Sequence, residues 1–283
     1  MLRIIFTLGC FIFLTTFAFA QSAWTQPKGG GFAQLGLTSI PKYSSIYTQD
    51  GESFNTSREI SDKTIQLYGE YGIRDKTTII LAVPLKIVQA GDSSDVADLP
   101  ISIQDGTLFG FGNIEIGVRQ KLYSGKFELS VQVKGELGTG SFDQPTGLRT
   151  GFDTWGLQSL ISIGTGIDDG YVFGYVGGGF RTGSYSSYFK TGLEGGYTFF
   201  DRVTLAVFLD VLTSFKDGNR FDPIQNIETG LYLNDQQYVA YGFKVLGQIT
   251  DLIGVSAAFG GAASGNLVPR SPSLNLGVYA KWE

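Results

Sequence analysis

The stretch Phe127–Leu137 alternates between apolar and polar residues along its length. Phe127, Leu129, Val131, Val133 and Leu137 fall on one face of an extended strand. Glu128, Ser130, Gln132, Lys134 and Glu136 fall on the other. Side chains in a strand repeat every two residues, so such a segment has one oily face and one charged face. The period recurs along nearly the whole chain. Ile79, Leu81, Val83, Leu85 and Ile87 oppose Thr78, Ala82, Pro84 and Lys86. Ile65, Leu67 and Tyr71 oppose Gln66, Tyr68 and Glu70, and Val203, Leu205, Val207, Leu209 and Val211 oppose Thr204, Ala206 and Asp210. Helical periodicity is absent, and beyond the leader no segment approaches ~18 uninterrupted apolar residues, so a helical membrane span is not expected.

The alternation predicts an all-β fold of about twelve strands, over 31–41, 62–73, 77–90, 108–122, 126–138, 154–168, 171–184, 186–200, 203–216, 236–249, 252–264 and 271–282. Most exceed the ~9–11 residues that a tilted transmembrane strand needs. The connections alternate in length. Short turns fall at Arg74-Asp75-Lys76, Ser124-Gly125, Asp169-Gly170, Phe200-Asp201-Arg202 and Thr250-Asp251-Leu252, and longer links lie near 42–61, 91–107, 139–153 and 217–235. Links near 185 and 265–270 are shorter members of the second set. An even strand count with alternating turns and loops describes a transmembrane antiparallel up-and-down β-barrel, oily outside and wet inside. Short turns then face the periplasm and long loops the exterior. Pro84 is awkward in a paired strand and predicts a bulge or an interrupted hydrogen bond. The glycine-rich segment Tyr171–Gly183 is ambiguous, because both faces are apolar or glycine.

Residues 1–20 read as a signal peptide, with Arg3 as the positive end, Ile4–Phe17 as a short apolar core and Ala18-Phe19-Ala20 as a small-x-small cleavage site. Residues 21–283 are then one outer-membrane barrel domain. Cys10 makes a poor lipoprotein acceptor, since Thr7-Leu8-Gly9 lacks leucine at the usual place and little apolar core precedes it. Without Arg3 the balance is one unit more negative than the whole chain's −5. That argues against nucleic acid, which calls for a basic footprint. The only Cys and Met lie in the leader, so the expected mature chain has no disulfide, and a closed strand ladder must supply its rigidity. Forty glycines suit tight turns and close packing of neighbouring rings.

The Ser124-Gly125 turn predicts a register. A primed two-residue turn pairs Tyr123 with Lys126, so that Lys121 faces Glu128, Glu115 faces Lys134, Leu122 meets Phe127, Val118 meets Val131 and Ile116 meets Val133. A slip of one residue would turn Glu128, Lys134 and Glu136 toward lipid, at roughly 2–4 kcal/mol for a midplane cation and less for acids. Pairing through Asp169-Gly170 sets Tyr171, Phe173 and Tyr175 against Gly164 and Gly166 inside the barrel.

The chain has no His, so Ser-His-Asp and Cys-His relays and His-based zinc sites cannot be built. Catalysis would rest on carboxylates alone, with Glu70, Glu115, Glu128 and Glu136 as candidates for a pair. These acids read better as a wet wall beside Arg119, Lys121 and Lys134, and no enzyme, cofactor or metal is expected. Asp92-Ser93-Ser94-Asp95-Val96-Ala97-Asp98 offers oxygen ligands but matches no EF-hand loop, and reads as a solvated loop. The glycine clusters Gly135–Gly140 and Gly177-Gly178-Gly179 open no helix, which argues against nucleotide binding. Asn55-Thr56-Ser57 fits a glycosylation pattern that carries little meaning on a bacterial surface. Trp24, Trp155, Trp282 and many Tyr near strand ends read as interface girdles.

Leu274, Leu276, Val278, Ala280 and Trp282 form one face ending in an aromatic, similar to the C-terminal signal that the barrel assembly machinery reads, with Glu283 displacing the aromatic by one place. At the other end, Ala23-Trp24-Thr25-Gln26-Pro27-Lys28-Gly29 runs into the first strand. This opening resembles that of outer-membrane transporters similar to the channel-like proteins linked to meta-pathway phenol degradation. It covers under a tenth of the chain. The resemblance implies uptake of small compounds, hydrophobic ones included.

The expected function is an outer-membrane channel for passive uptake of small solutes. Its lumen would be lined by Glu70, Lys86, Glu115, Arg119, Lys121, Glu128, Lys134, Glu136, Lys190, Glu194, Asp210 and Lys244. The alternative is a structural or accessory barrel, filled by its own side chains, that docks a protein partner. The expected partners are outer-membrane lipid, the assembly machinery during biogenesis and a small-molecule solute, at the outer membrane of a Gram-negative cell.

Overall fold

The computed structural model describes residues 22–48, 51–92 and 103–283. The proposed leader, 1–20, lies outside the described residues, as does the acidic run beyond Asp92. The long strands are β1 (Gly31–Tyr47), β2 (Ser53–Arg74), β3 (Thr77–Ala90), β5 (Ile114–Ser124), β6 (Glu128–Leu137) and β9 (Gly156–Ile167) in the first half. β10 (Gly170–Arg181), β11 (Tyr188–Phe199), β12 (Val203–Ser214), β13 (Gln237–Gln248), β14 (Ile253–Asn266) and β16 (Pro272–Trp282) follow. The short elements are β4 (Gly106–Phe111), β7 (Phe142–Asp143), β8 (Leu148–Arg149), helix α1 (Ile224–Ile227) and β15 (Val268–Pro269).

Each long strand pairs antiparallel with its neighbour in sequence, and β1 pairs with both β2 and β16, which closes a twelve-strand barrel. Closure leaves the ladder of the twelve long strands without a free edge, as a sheet that spans hydrocarbon requires. β4 extends the wall beside β3, β15 extends it beside β1, and β7 with β8 forms a separate small hairpin. Among the described residues no helix is long and apolar enough to cross a membrane.

Burial is inverted relative to a water-soluble protein. Leu35, Leu67, Ile161, Leu193, Val207 and Leu276 face outward and are exposed, while Glu70, Arg119, Lys134 and Glu136 face inward and are buried. An apolar belt around a charged interior is what a lipid-spanning barrel requires.

The observed hairpin between β5 and β6 differs from the predicted one. Glu128 pairs with Ser124, so three residues, Gly125–Phe127, form the turn. A bulge at Leu122 follows, and Val118 then faces Val133, Ile116 faces Gly135 and Glu115 faces Glu136. The true register is displaced by two residues. An even displacement keeps every side chain on its face, which is why alternation alone could not detect it. Lys121 still reaches Glu128 at 3.3 Å and Lys134 still reaches Glu115 at 2.8 Å, as diagonal neighbours. The β9–β10 hairpin sets Tyr171 against Gly166, Phe173 against Gly164 and Tyr175 against Ser162, so rings do meet glycines but in a register two residues from the one an Asp169-Gly170 turn would give. Its turn is Asp168-Asp169, one residue earlier than expected, with Asp168 in the left-handed region at φ 49°.

Pro84 also acts, though on the neighbouring strand. The predicted fourth strand is broken into β4 and β5 at Gly112-Asn113, opposite Pro84, whose carbonyl accepts the Gly112 amide at 2.9 Å. The break lets a loop enter the wall. The Thr150 hydroxyl donates to the Phe111 carbonyl at 2.7 Å, and the Phe152 amide donates to Asn113 Oδ1 at 2.6 Å.

Candidate functional site

The twelve charged side chains expected to line the lumen are each ion-paired, and none is exposed. Glu70 meets Arg119 at 3.1 Å, Lys86 meets Asp62 at 2.6 Å and Glu136 meets Arg181 at 2.8 Å. Lys190 meets Asp210 at 3.4 Å, Lys244 meets Glu194, and the pairs Lys121–Glu128 and Lys134–Glu115 complete the set. Tyr171 donates to Glu194 at 2.8 Å and Tyr175 to Asp210 at 2.7 Å. Charges withdrawn from water are tolerated only when paired and hydrogen-bonded in this way. Asp62 and Arg181 were not singled out in the sequence. Their parity was legible: Asp62 shares the face of Gln66 and Glu70, and Arg181 shares the face of Tyr171, Phe173 and Tyr175.

The chain preceding β1 occupies the short-turn end. Residues Ser22–Gln26 fold back inside the barrel, and Pro27–Gly29 are exposed at its rim. The Arg119 guanidinium, fully buried, donates to Ser22 Oγ at 3.1 Å, to the Trp24 carbonyl at 2.9 Å and to Gln132 Oε1 at 3.0 Å. Gln26 Nε2 donates to Glu70 at 2.9 Å, and the Gln26 amide donates to Thr78 Oγ1 at 2.8 Å. Trp24 is therefore not a girdle residue. Its indole meets Tyr171 and Phe173 edge-on inside the barrel, at 6.0 and 5.9 Å between ring centres. Gly164 leaves the space this needs, since a Cβ there would lie 2.8 Å from the Trp24 ring and 3.1 Å from Ala23 Cβ. Trp155 and Trp282 do face outward, with Tyr71, Tyr123, Tyr197 and Tyr241, whereas Tyr43, Tyr68, Tyr175, Tyr188 and Tyr279 are buried within.

Two inserted segments pack together at the long-loop end. The β7–β8 hairpin meets α1, where Arg149 Nε donates to Asn226 Oδ1 at 2.8 Å and Asn226 Nδ2 donates to the Gly147 and Leu231 carbonyls at 3.1 and 3.0 Å. Tyr43 of β1 donates to the Thr229 carbonyl at 2.6 Å, and Glu228 accepts the Ser57 amide at 2.6 Å. Beneath this cap, Tyr43, Ile46, Ile60, Val88, Leu148 and Leu231 form a buried apolar cluster. Asp153 bridges Arg149 at 3.3 Å and Arg220 at 3.1 Å. Burial opposes its ionisation, but the two guanidiniums outweigh burial and hold its carboxyl below the usual range. Asp222 goes the other way: burial dominates and pushes it up, against the Asn234 amide and Arg220.

Between these two ends lies a chamber of about 400 Å³ whose wall includes the Asp62–Lys86 and Glu115–Lys134 pairs together with Phe152, Tyr188, Tyr232 and Tyr238. Arg181 is held between two of these rings, 3.8 Å from Phe152 and 4.7 Å from Tyr188. A second cavity of about 250 Å³ lies on the wall of β1, β2, β13, β14 and β16, lined by Gln34, Gln66, Ser256, Asn275 and Lys244. The four carboxylates considered for catalysis are each held by a cation. Among the described residues no group of three acidic side chains is placed to hold a metal ion.

A closed barrel of twelve antiparallel strands, apolar outside and cross-braced by charge inside, is a transmembrane β-barrel of the outer-membrane type. Its fold is similar to that of the COG4313 outer membrane channel from Pseudomonas putida F1, with a TM-score of 0.70 over 94% of this chain and 100% of that one, at 15% identity. The NanC porin is more distant, with a TM-score of 0.50 over 88% of this chain and 100% of that one, at 6% identity. The translocator domain of the autotransporter NalP from Neisseria meningitidis stands at 0.50 as well, over 90% of both chains at 13% identity. No protein-family model matches the sequence, and no curated protein matches it.

Proposed function

We propose that this barrel is an outer-membrane channel for passive uptake of small solutes, obstructed at its two ends by segments of its own chain. The observation that carries the proposal is the pair of interior cavities, of about 400 and 250 Å³, between two removable segments. Neither segment is a wall strand. The cap is made of inserted loops and the base is made of the segment preceding β1, so either can move without breaking the ladder. The paired charges make a wall of balanced sign, which predicts weak ion preference. Four aromatic rings beside those charges suit a compact solute with an apolar ring and a polar edge, in keeping with the small compounds, hydrophobic ones included, that the resemblance implied. The likeness in fold to a protein described as an outer membrane channel supports the same reading.

A filled interior also favours a second reading, an accessory barrel that docks a partner and conducts nothing. Liposome swelling separates the two. Proteoliposomes should admit small aromatic and polar solutes faster than protein-free liposomes. No flux for any of them, together with a stoichiometric protein partner on purification in gentle detergent, would favour the accessory barrel.

A further inference from the structure

The outer wall carries a feature that solute passage does not use. On the β12–β14 side, at the long-loop end, lies a hollow of about 560 Å³ lined by Val207, Tyr241, Phe243, Phe259 and Pro272. All but Pro272 are strongly exposed outward apolar side chains, Val207 at 65% and Tyr241 at 62%. The hollow exists because β16 starts only at Pro272, opposite Gly261, which has no side chain to fill the space. Tyr47 of β1 partly covers the gap, with its hydroxyl 3.4 Å from the Ala262 carbonyl.

Cations flank it. Arg270 lies at the upper rim, its guanidinium 5.7 Å from the Tyr47 ring centre and its Nη1 donating to Ser53 Oγ at 3.2 Å. An adjoining hollow of about 350 Å³ runs past Val239 to Lys216. Asp217, next to Lys216, turns its carboxylate back to the Ser187 amide at 2.7 Å. Among the described residues neither Arg270 nor Lys216 enters an ion pair, although the chain is net acidic and every interior cation expected to line the lumen is paired.

We infer that this face binds a phosphate-bearing lipid of the outer leaflet, with an acyl chain in the aromatic hollow and the phosphate on Arg270, assisted by Lys216. The height fits. Phe243, Phe259 and Leu274 share one level of the apolar belt, and Arg270 lies just before the start of β16, at the long-loop side where headgroups meet the belt. A guanidinium at the edge of a low-dielectric belt is suited to a phosphate, which it can grip with two parallel hydrogen bonds. An uncharged lipid would occupy the hollow without using either cation.

The test is native mass spectrometry of the full barrel in detergent, titrated with dilauroyl phosphatidic acid and, separately, with dilauroyl glycerol, which has the same chains and no phosphate. The inference expects phosphatidic acid to bind at least tenfold more tightly. R270Q with K216Q should abolish that preference and leave diacylglycerol binding unchanged, while Arg270→Lys should retain most of it. Heat-modified migration on gels checks that each variant is folded. Equal binding of the two lipids, or a preference that survives in the double variant, would overturn the inference. Displacement of phosphatidic acid by an equal concentration of inorganic phosphate would do so too, because the site would then take a free anion.

Discussion

Arg119→Met tests the obstruction at the short-turn end. Arg119 and Glu70 are both fully withdrawn from solvent and stand 3.1 Å apart. Removing the cation leaves the Glu70 carboxylate with only the Tyr68 hydroxyl and Gln26 Nε2 as donors. Breaking one partner of a buried pair costs about 3–5 kcal/mol. The same substitution removes the charge-assisted bonds to the Ser22 hydroxyl and the Trp24 carbonyl, each worth about 1.5–3 kcal/mol and not additive with the first loss. Those losses bear on one event, release of Ser22–Gln26 from the barrel interior. Chemical unfolding in detergent, followed by tryptophan fluorescence, should show the variant about 3–5 kcal/mol less stable. The Trp24 indole should leave its aromatic cage before the barrel unfolds. Adding Glu70→Gln should recover about 1–3 kcal/mol, because no lone charge then remains buried. A single variant within about 0.5 kcal/mol of the parent, or a double variant worse than the sum of the singles, would refute the reasoning.

Further outcomes follow from the same geometry. Gly164→Val should expel Trp24 and Ala23, whose atoms lie about where the new side chain would go, and should raise open-channel current while the strand ladder stays intact. Bilayer recordings and circular dichroism check the two halves. Glu115→Gln with Glu136→Gln should leave Lys134 and Arg181 without their acids and turn weak ion preference toward anions, as read from reversal potentials in a salt gradient. The Asp153 carboxyl lies below its ordinary value when folded, so its stabilisation is present above the unfolded carboxylate range and fades as pH falls through the folded value. Between pH 5 and 3 the parent should therefore lose more stability than Asp153→Asn, measured as urea midpoints. Asp222 works in the opposite direction, because its raised folded value favours the protonated form.

Strand number and face were legible in the sequence because a period of two leaves little freedom once one face must meet lipid. The charged residues named from that parity are buried or half-buried and ion-paired, while the apolar face is exposed. Register was less legible. The β5–β6 hairpin moved by two residues because a bulge at Leu122 and a three-residue turn preserve parity, and parity was the only signal available. The obstructing segments were not legible. Trp24 looked like a girdle residue, and only tertiary structure reveals that the chain before β1 turns back into the lumen, where Gly164, Arg119 and Glu70 receive it. The cap rests on loops with no periodicity, so the contact of Arg149 with Asn226 across 77 residues had no local signature.

In the proposed channel the N-terminal segment obstructs the short-turn end of the solute path. Single-channel recording in planar bilayers compares the intact barrel with one lacking residues 22–28. The intact barrel should show small or infrequent openings, and the shortened one a larger conductance. No conductance from either, together with no solute flux into liposomes, would contradict the proposal.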